Sequence, residues 1–348
     1  MYLVRPGKPT DLDALVALAA GAQPPLTNLP AHRDRLRDRL TASEEALSAS
    51  VAAPNGQIYV FVLEYAGEVV GTASIRARAG AREAYYTWRR ETLIHASQQL
   101  DVRREVAILS LSHELSEASL LCAFSIAAEH RGTIGERLLR RARLMFVAQH
   151  PERFMPGLAV AMPGPLDETG TSAFWEAVGR HFFVKDFGEI NEMAGIHSKS
   201  FIAEVMPPFP LYEPLLSETG RAAIGAIHAR HVTAAADLRA EGFADSRHID
   251  LFDGGLLLEC TFERLNSVRN NRWHPVTIDN RHAPPPAATA LLANQQCADY
   301  RCIAAPYTTS GTGQLCMTSD DADALALSTG RAVLAAPLHP LDRGDAPC

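Results

Sequence analysis

The apolar positions divide the chain into short strand-like runs and longer helical ones. Residues 1–5 and 58–64 read as strands, and the second, within Gln57–Glu64, is almost wholly β-favouring. Ala66, Gly67 and Glu68 supply a turn and Val69–Ile75 returns, which makes a hairpin. Between the first strand and the hairpin, residues 11–20 and about 31–50 carry helical patterning. Thr10 followed by Asp13 resembles a capping box, and Leu12, Leu15 and Ala19 fall on one helical face. Val106–Ser112 and Leu120–Ile126 are further strand-like runs. Residues 131–149 place apolar side chains at helical spacing, including Leu138, Leu139, Ala142, Met145 and Phe146.

Beyond the break at Met162-Pro163-Gly164-Pro165, residues 174–183 read as one helix with Phe174, Trp175, Val178, Phe182 and Phe183 on its core face. A helix from Val232 to Glu241 ends at Gly242, a C-cap signal. An alternating strand over 248–252 follows, then Asp253-Gly254-Gly255 as a hairpin turn and a strand over 256–260. After Pro275 the composition shifts, which predicts a small β-rich appendage over 276–340. The order of elements indicates an α+β class with a mixed sheet. Two segments, 174–182 and 235–243, both carry an apolar helix followed by glycine and an aromatic residue, which raises the expectation of two related halves within 1–272.

Composition narrows the class. The chain has 348 residues, 47% hydrophobic and 21% charged, which fits an ordered globular protein of about two domains. A net charge of -7 gives no global case for nucleic acid. No apolar run reaches the length of a membrane span. Arg5, Lys8 and the alanines from Ala14 to Ala20 have the outline of a leader peptide, but Asp11 and Asp13 oppose it and a first helix is the preferred reading. The six cysteines are irregularly spaced, which points to reduced thiols in a cytoplasmic protein and to no metal site.

Several segments could carry chemistry. Glu129-His130-Arg131-Gly132-Thr133-Ile134-Gly135-Glu136 follows a strand and opens a helix. Backbone N–H groups freed by glycines and flanked by arginine form a phosphate cradle, with Arg137, Arg140, Arg141 and Arg143 adding positive potential; a plain turn before a basic helix is the other reading. It is neither a P-loop nor a dinucleotide fingerprint, because the spacing differs. His228 and His231 flank Arg230, and a histidine near neutral pKa can move a proton between an amine and a thiolate. His95 with Ser97, Ser112-His113-Glu114, and Lys199 are weaker candidates, and Asp253 belongs first to a turn. No Gly-x-Ser-x-Gly elbow is present.

Together these segments resemble the arginine N-succinyltransferase family. The matching pieces, in order, are Ile94–Ser97, Phe174-Trp175 with Gly179–Phe183, Ser198–Glu204, Pro210–Tyr212, Ile224–His228, Glu241–Phe243 and Ile249–Gly255, spanning about 1–272. Arg90–Thr92, Leu109–His113, Ser119–Leu121 and His150–Phe154 bring it closest to the alpha-subunit type of arginine/ornithine succinyltransferase. The resemblance implies a GNAT-like acyl-CoA N-acyltransferase fold and transfer of a succinyl group from succinyl-CoA to the α-amine of arginine, or ornithine, in arginine catabolism. It also implies a beta-type partner subunit and a hetero-oligomer. It places the proton donor on His228 and acyl-CoA contacts on Phe124 and Arg131; Gly132 and Gly135 are read as compensating glycines of the cofactor-binding loop, and His95, Ser97, Lys199 and Asp253 as substrate-binding. Ile134 and Glu136 stand where the family's acyl-CoA signature has small residues, and the family's Glu-x-Arg pair is absent at Ala161-Met162-Pro163. A silent partner subunit, or a transferase with a changed donor or acceptor, are therefore the alternatives.

Overall fold

The computed structural model describes residues 1–196, 200–280, 289–310 and 313–339. In chain order the elements are β1 (Tyr2–Pro6), α1 (Leu12–Ala20), α2 (Arg33–Ser48), β2 (Ile58–Tyr65), β3 (Glu68–Arg76), β4 (Thr87–Ser97), β5 (Val102–Ser112), β6 (Ser119–Ile126), α3 (Ile134–Gln149) and β7 (Gly157–Ala161). There follow α4 (Ala173–Ala177), α5 (Arg180–Phe183), α6 (Phe187–Ile196), α7 (Ser200–Val205), β8 (Leu211–Tyr212), α8 (Glu218–Ala223), α9 (Val232–Glu241), β9 (Ala244–Ile249), β10 (Leu256–Thr261) and α10 (Asn266–Arg269). The last part holds β11 (Arg272–Ile278), β12 (Thr289–Ala293), β13 (Cys302–Pro306), β14 (Thr308–Thr309), β15 (Leu315–Met317), α11 (Ser319–Ala324) and β16 (Ala332–Pro337). No helix among the described residues is long and apolar enough to cross a membrane.

The strands form one sheet, ordered β14-β15-β11-β16-β12-β13-β1-β2-β3-β6-β7-β10-β9-β4-β5-β8. Among the described residues only β6/β7 and β11/β15 pair in parallel, so this is an α+β architecture with a mixed sheet, as the order of elements indicates. The near-continuous apolar run of β2 has a direct cause: both of its faces are buried. Tyr59, Phe61 and Leu63 point to the side covered by α3, where Phe146 and Tyr300 complete an aromatic cluster. Val60 and Val62 point to the other side and meet Leu15, Leu36 and Leu40 of α1 and α2. Residues after 271 reach this core by edge pairing, since β13 is hydrogen-bonded to β1 with Leu3 opposite Ile303 and Val4 opposite Cys302.

Three local expectations change. The N-terminal cap is set by Asp11, not by Thr10 and Asp13: its carboxylate accepts the Lys8 N–H at 2.8 Å and pairs with Arg5 at 2.8 Å. The helix expected over 174–183 is broken into α4 and α5 at Val178, which leaves the helical region (φ -127°, ψ -73°). The break lets the buried Trp175 ring pack on Gly179 and donate from Nε1 to the Lys185 carbonyl at 2.9 Å, so Gly179 is a packing glycine. Gly242, by contrast, is a true left-handed C-cap (φ 118°). β4 was invisible to periodicity because its distal half, paired with β5 out to Ser97 and Val102, is largely exposed and lacks a buried face to alternate against.

Candidate active site

The site is built where β6 leaves its partner. β6 and β7 pair only from Ser119 opposite Leu158 to Leu121 opposite Val160, and beyond that the β7-side edge of β6 is unpaired among the described residues. At the same point the β3/β6 register slips between Ser74 and Thr72. Ala123 takes up the slack in a left-handed conformation (φ 53°), a bulge fixed by its N–H donating to Asn28 Oδ1 at 2.9 Å. The next residue, Phe124, lies in the wall of a cavity of about 430 Å³.

That cavity runs from Phe124 to the start of α3. Arg131, Gly132, Thr133 and Glu136 line one side, Gln23 and Pro24 another, and Arg230, His231 and Asp237 a third. Thr133 caps α3 by accepting the Gly135 N–H at 3.2 Å. Gly132 is left-handed (φ 72°), and a Cβ there would meet nothing within 4 Å, so its backbone faces open space. The Arg131 N–H donates to the Ala128 carbonyl at 3.3 Å, while its guanidinium has no hydrogen bond or ion pair among the described residues. The cavity wall holds four arginines (Arg131, Arg137, Arg140, Arg230) against two carboxylates (Glu136, Asp237), a net positive field suited to a polyanion.

The remaining arginines of α3 do not contribute to it. Arg141 and Arg143 are buried: Arg141 pairs with Glu241 at 2.9 Å and donates to the Leu338 carbonyl, and Arg143 donates to the carbonyls of Ser74 and Cys122. Arg140 belongs to both settings, since it is buried, pairs with Glu136 (2.8 Å) and Asp237 (2.6 Å), and lies 5.1 Å over the Phe124 ring.

Of the residues expected to contact acyl-CoA, Phe124, Arg131 and Gly132 meet in this cavity. Gly135 does not open onto it: a Cβ there would stand 2.6 Å from the Tyr2 ring, so the glycine serves the close seating of α3 on β1. Gly135→Ala should therefore lower stability by about 1–3 kcal/mol by overpacking, read from urea unfolding. His228 sits just outside the lining residues and next to one of them, its ring centroid 6.0 Å from that of His231. Its N–H donates to the Pro163 carbonyl (2.8 Å), and its Nδ1 accepts the Arg230 N–H (3.3 Å), which leaves Nε2 as the outward nitrogen. Burial first, and then Arg230, lower its pKa below the usual histidine value, so the ring is neutral at pH 7.

Asp253 is a brace, and its carboxylate is spent on backbone. It accepts the Gly164 N–H and the Gly255 N–H, both at 2.8 Å, and so ties the β10 turn to the 163–165 segment that holds His228. Burial and the nearby Asp250 push it up to about 8 against those two bonds. His95 and Ser97 lie on the exposed part of β4, with His95 6.0 Å from the Tyr212 ring, and neither lines the cavity. Lys199 lies outside the described residues. His231, singled out beside His228 but given no separate role, lines the cavity; its Nε2 is buried with no hydrogen-bond partner among the described residues, and its pKa falls to about 4 through burial, His228 and Arg140. Its spacing of three from His228 was the available signal.

A family model described as the arginine N-succinyltransferase beta subunit matches residues 2–267, and one for that subunit's C-terminal domain matches 274–337. The chain is 36% identical to arginine N-succinyltransferase subunit alpha of Pseudomonas aeruginosa, over 96% of this chain and 98% of the relative. It is 37% identical to subunit beta of the same organism, over 98% and 100%. An arginine N-succinyltransferase of Salmonella paratyphi B is 35% identical over 95% and 96%. The solved structure of arginine/ornithine succinyltransferase subunit AI from Pseudomonas aeruginosa superposes with a TM-score of 0.89 at 33% identity, covering 97% of this chain and 99% of that one. Similarity is even between the alpha and beta types, so identity does not single out the alpha type that the motifs suggest. The likeness spans both the cavity region and the residues after 272, and the chain belongs to the arginine N-succinyltransferase family.

Proposed function

We propose that the chain transfers a succinyl group from succinyl-CoA to the α-amine of arginine, with ornithine as a second acceptor, as a GNAT-like enzyme of arginine catabolism in the cytoplasm. In this reading residues 1–272 carry the transfer chemistry and 276–340 form an appendage. The chain acts as an alpha-type subunit in a hetero-oligomer with a beta-type partner. The observation that carries the proposal is the cationic cavity at the open edge of β6, in a chain of this family. Phosphates of the co-substrate would meet Arg131 and the Gly132 N–H, and the acyl group would lie along the β6 backbone at Phe124. The amine attacks the thioester carbon, the C–S bond breaks, and the amine's surplus proton ends on the thiolate. His228 would carry that proton as a neutral ring: with Nδ1–H, reached by giving up the long bond from the Arg230 N–H, its Nε2 takes the amine's proton and passes it to the departing sulfur, so the ring starts and ends neutral. No covalent enzyme intermediate is needed.

The test is release of CoA thiol from succinyl-CoA with arginine, by the chain alone and with its beta-type partner. Thiol release that requires arginine supports the reading, and none from either folded sample rejects it. Arg131→Ala should raise the KM for succinyl-CoA by about tenfold with little change in kcat, because the lost ion pair acts on binding in ground and transition states alike. One observation favours a second reading, a weakly active partner that supports another subunit: Glu136 already occupies the Gly132 N–H. Tight binding of succinyl-CoA to this chain alone would exclude it.

A further inference from the structure

We propose that Glu136 sets how tightly this chain holds acyl-CoA, because its carboxylate occupies the anion position of the Gly132 loop and a phosphate binds there only by displacing it. The inference rests on the acyl-CoA reading of the cavity. Glu136 reaches back four residues, and its Oε2 accepts the Gly132 N–H at 2.7 Å. Its Oε1 accepts from Arg140 Nη2 at 2.8 Å, and Arg140 is held in place on its other side by Asp237 at 2.6 Å. One carboxylate therefore bridges a backbone N–H and a guanidinium, the two kinds of donor that a phosphate uses at a helix start.

The space around the contact permits exchange. Gly132 faces open volume, so a bulkier anion can approach the same N–H. Rotation of the Glu136 side chain frees that N–H while leaving the bond to Arg140 available, so exchange asks nothing of the backbone. The Arg131 guanidinium stands at the same cavity with no carboxylate partner among the described residues, and the Arg230 guanidinium donates to the neutral Gln23 at 2.7 Å. A polyphosphate can recruit both and so outbid one carboxylate, whereas a ligand without phosphates has no stake in the exchange.

Calorimetric titration of the full chain with CoA and with pantetheine, for wild type, Glu136→Ala and Glu136→Asp, tests this. The alanine variant removes the internal anion. The aspartate variant keeps the charge in the cavity but is one methylene too short to hold the contact to Gly132. Both should bind CoA about tenfold more tightly than wild type, the size of a charge-assisted hydrogen bond no longer in competition, with pantetheine binding unchanged. If wild type binds CoA and Glu136→Asp binds it no better, displacement is wrong and only the cavity's field was altered, whatever Glu136→Ala does. If neither wild type nor the variants bind CoA while remaining folded by circular dichroism, the acyl-CoA reading falls and this inference with it.

Discussion

His228→Ala should lower turnover by roughly 10²–10⁴-fold while leaving the KM for succinyl-CoA close to wild type, the usual signature of a lost proton carrier. The expectation comes from where the ring is held. Its backbone is fixed to Pro163, whose neighbour Gly164 is fixed to Asp253, and its Nε2 points away from the helix start that occupies Nδ1. The sign of the pH effect follows from the lowered pKa. The neutral ring is the working form, so wild-type kcat should hold from pH 8 to below about 6.5 and fall only as acid protonates the ring; the alanine variant should lose that limb. The same titration on His231→Ala separates the two histidines, since a proton carrier at 231 would move the large loss to that variant. A change under about threefold in His228→Ala, with the fold intact, removes His228 from the mechanism.

Arg141→Met should cost about 3–5 kcal/mol of folding stability, measured by urea unfolding, without raising the KM for succinyl-CoA. Arg141 is 4% exposed and Glu241 1%, and the substitution strands the carboxylate in the core together with the carbonyls of Pro337 and Leu338. Adding Glu241→Leu should recover part of the loss, because it removes the stranded charge but leaves the two carbonyls and the Ser267 N–H without their partners. A loss below about 1 kcal/mol would mean that water reaches the pair. The contrast with Arg131→Ala is the useful part: one arginine of the basic segment should act on binding and the other on stability.

The sequence did not allow that contrast to be drawn. Arg137, Arg140, Arg141 and Arg143 read together as one basic helix; the tertiary positions of Glu241, Ser74 and the C-terminal carbonyls divide them between cavity and core. What was legible is what burial writes into the pattern: β2, the hairpin, α3 and the Gly242 cap follow from apolar spacing and turn chemistry. β4 escaped because its distal half has no buried face, and the break at Val178 because it is dictated by where the Trp175 ring must sit. For the site, the Arg131–Gly132 turn was readable as an anion cradle. That a carboxylate four residues on would already fill it was not, because side-chain reach is not a property of spacing alone. Gly135 shows the same limit, as its partner Tyr2 is more than a hundred residues away.

The pairing of β13 with β1 has a bearing on synthesis. A nascent chain exposes its first strand early, yet the hydrogen-bonding edge opposite β2 stays open until residues 302–303 have left the ribosome. The Tyr300 hydroxyl, which closes over α3 by donating to the Ala142 carbonyl at 2.7 Å, arrives equally late. The polypeptide must therefore carry a sticky border through most of its own translation, and a fragment ending near 267 would keep that border for good and tend to self-associate through it.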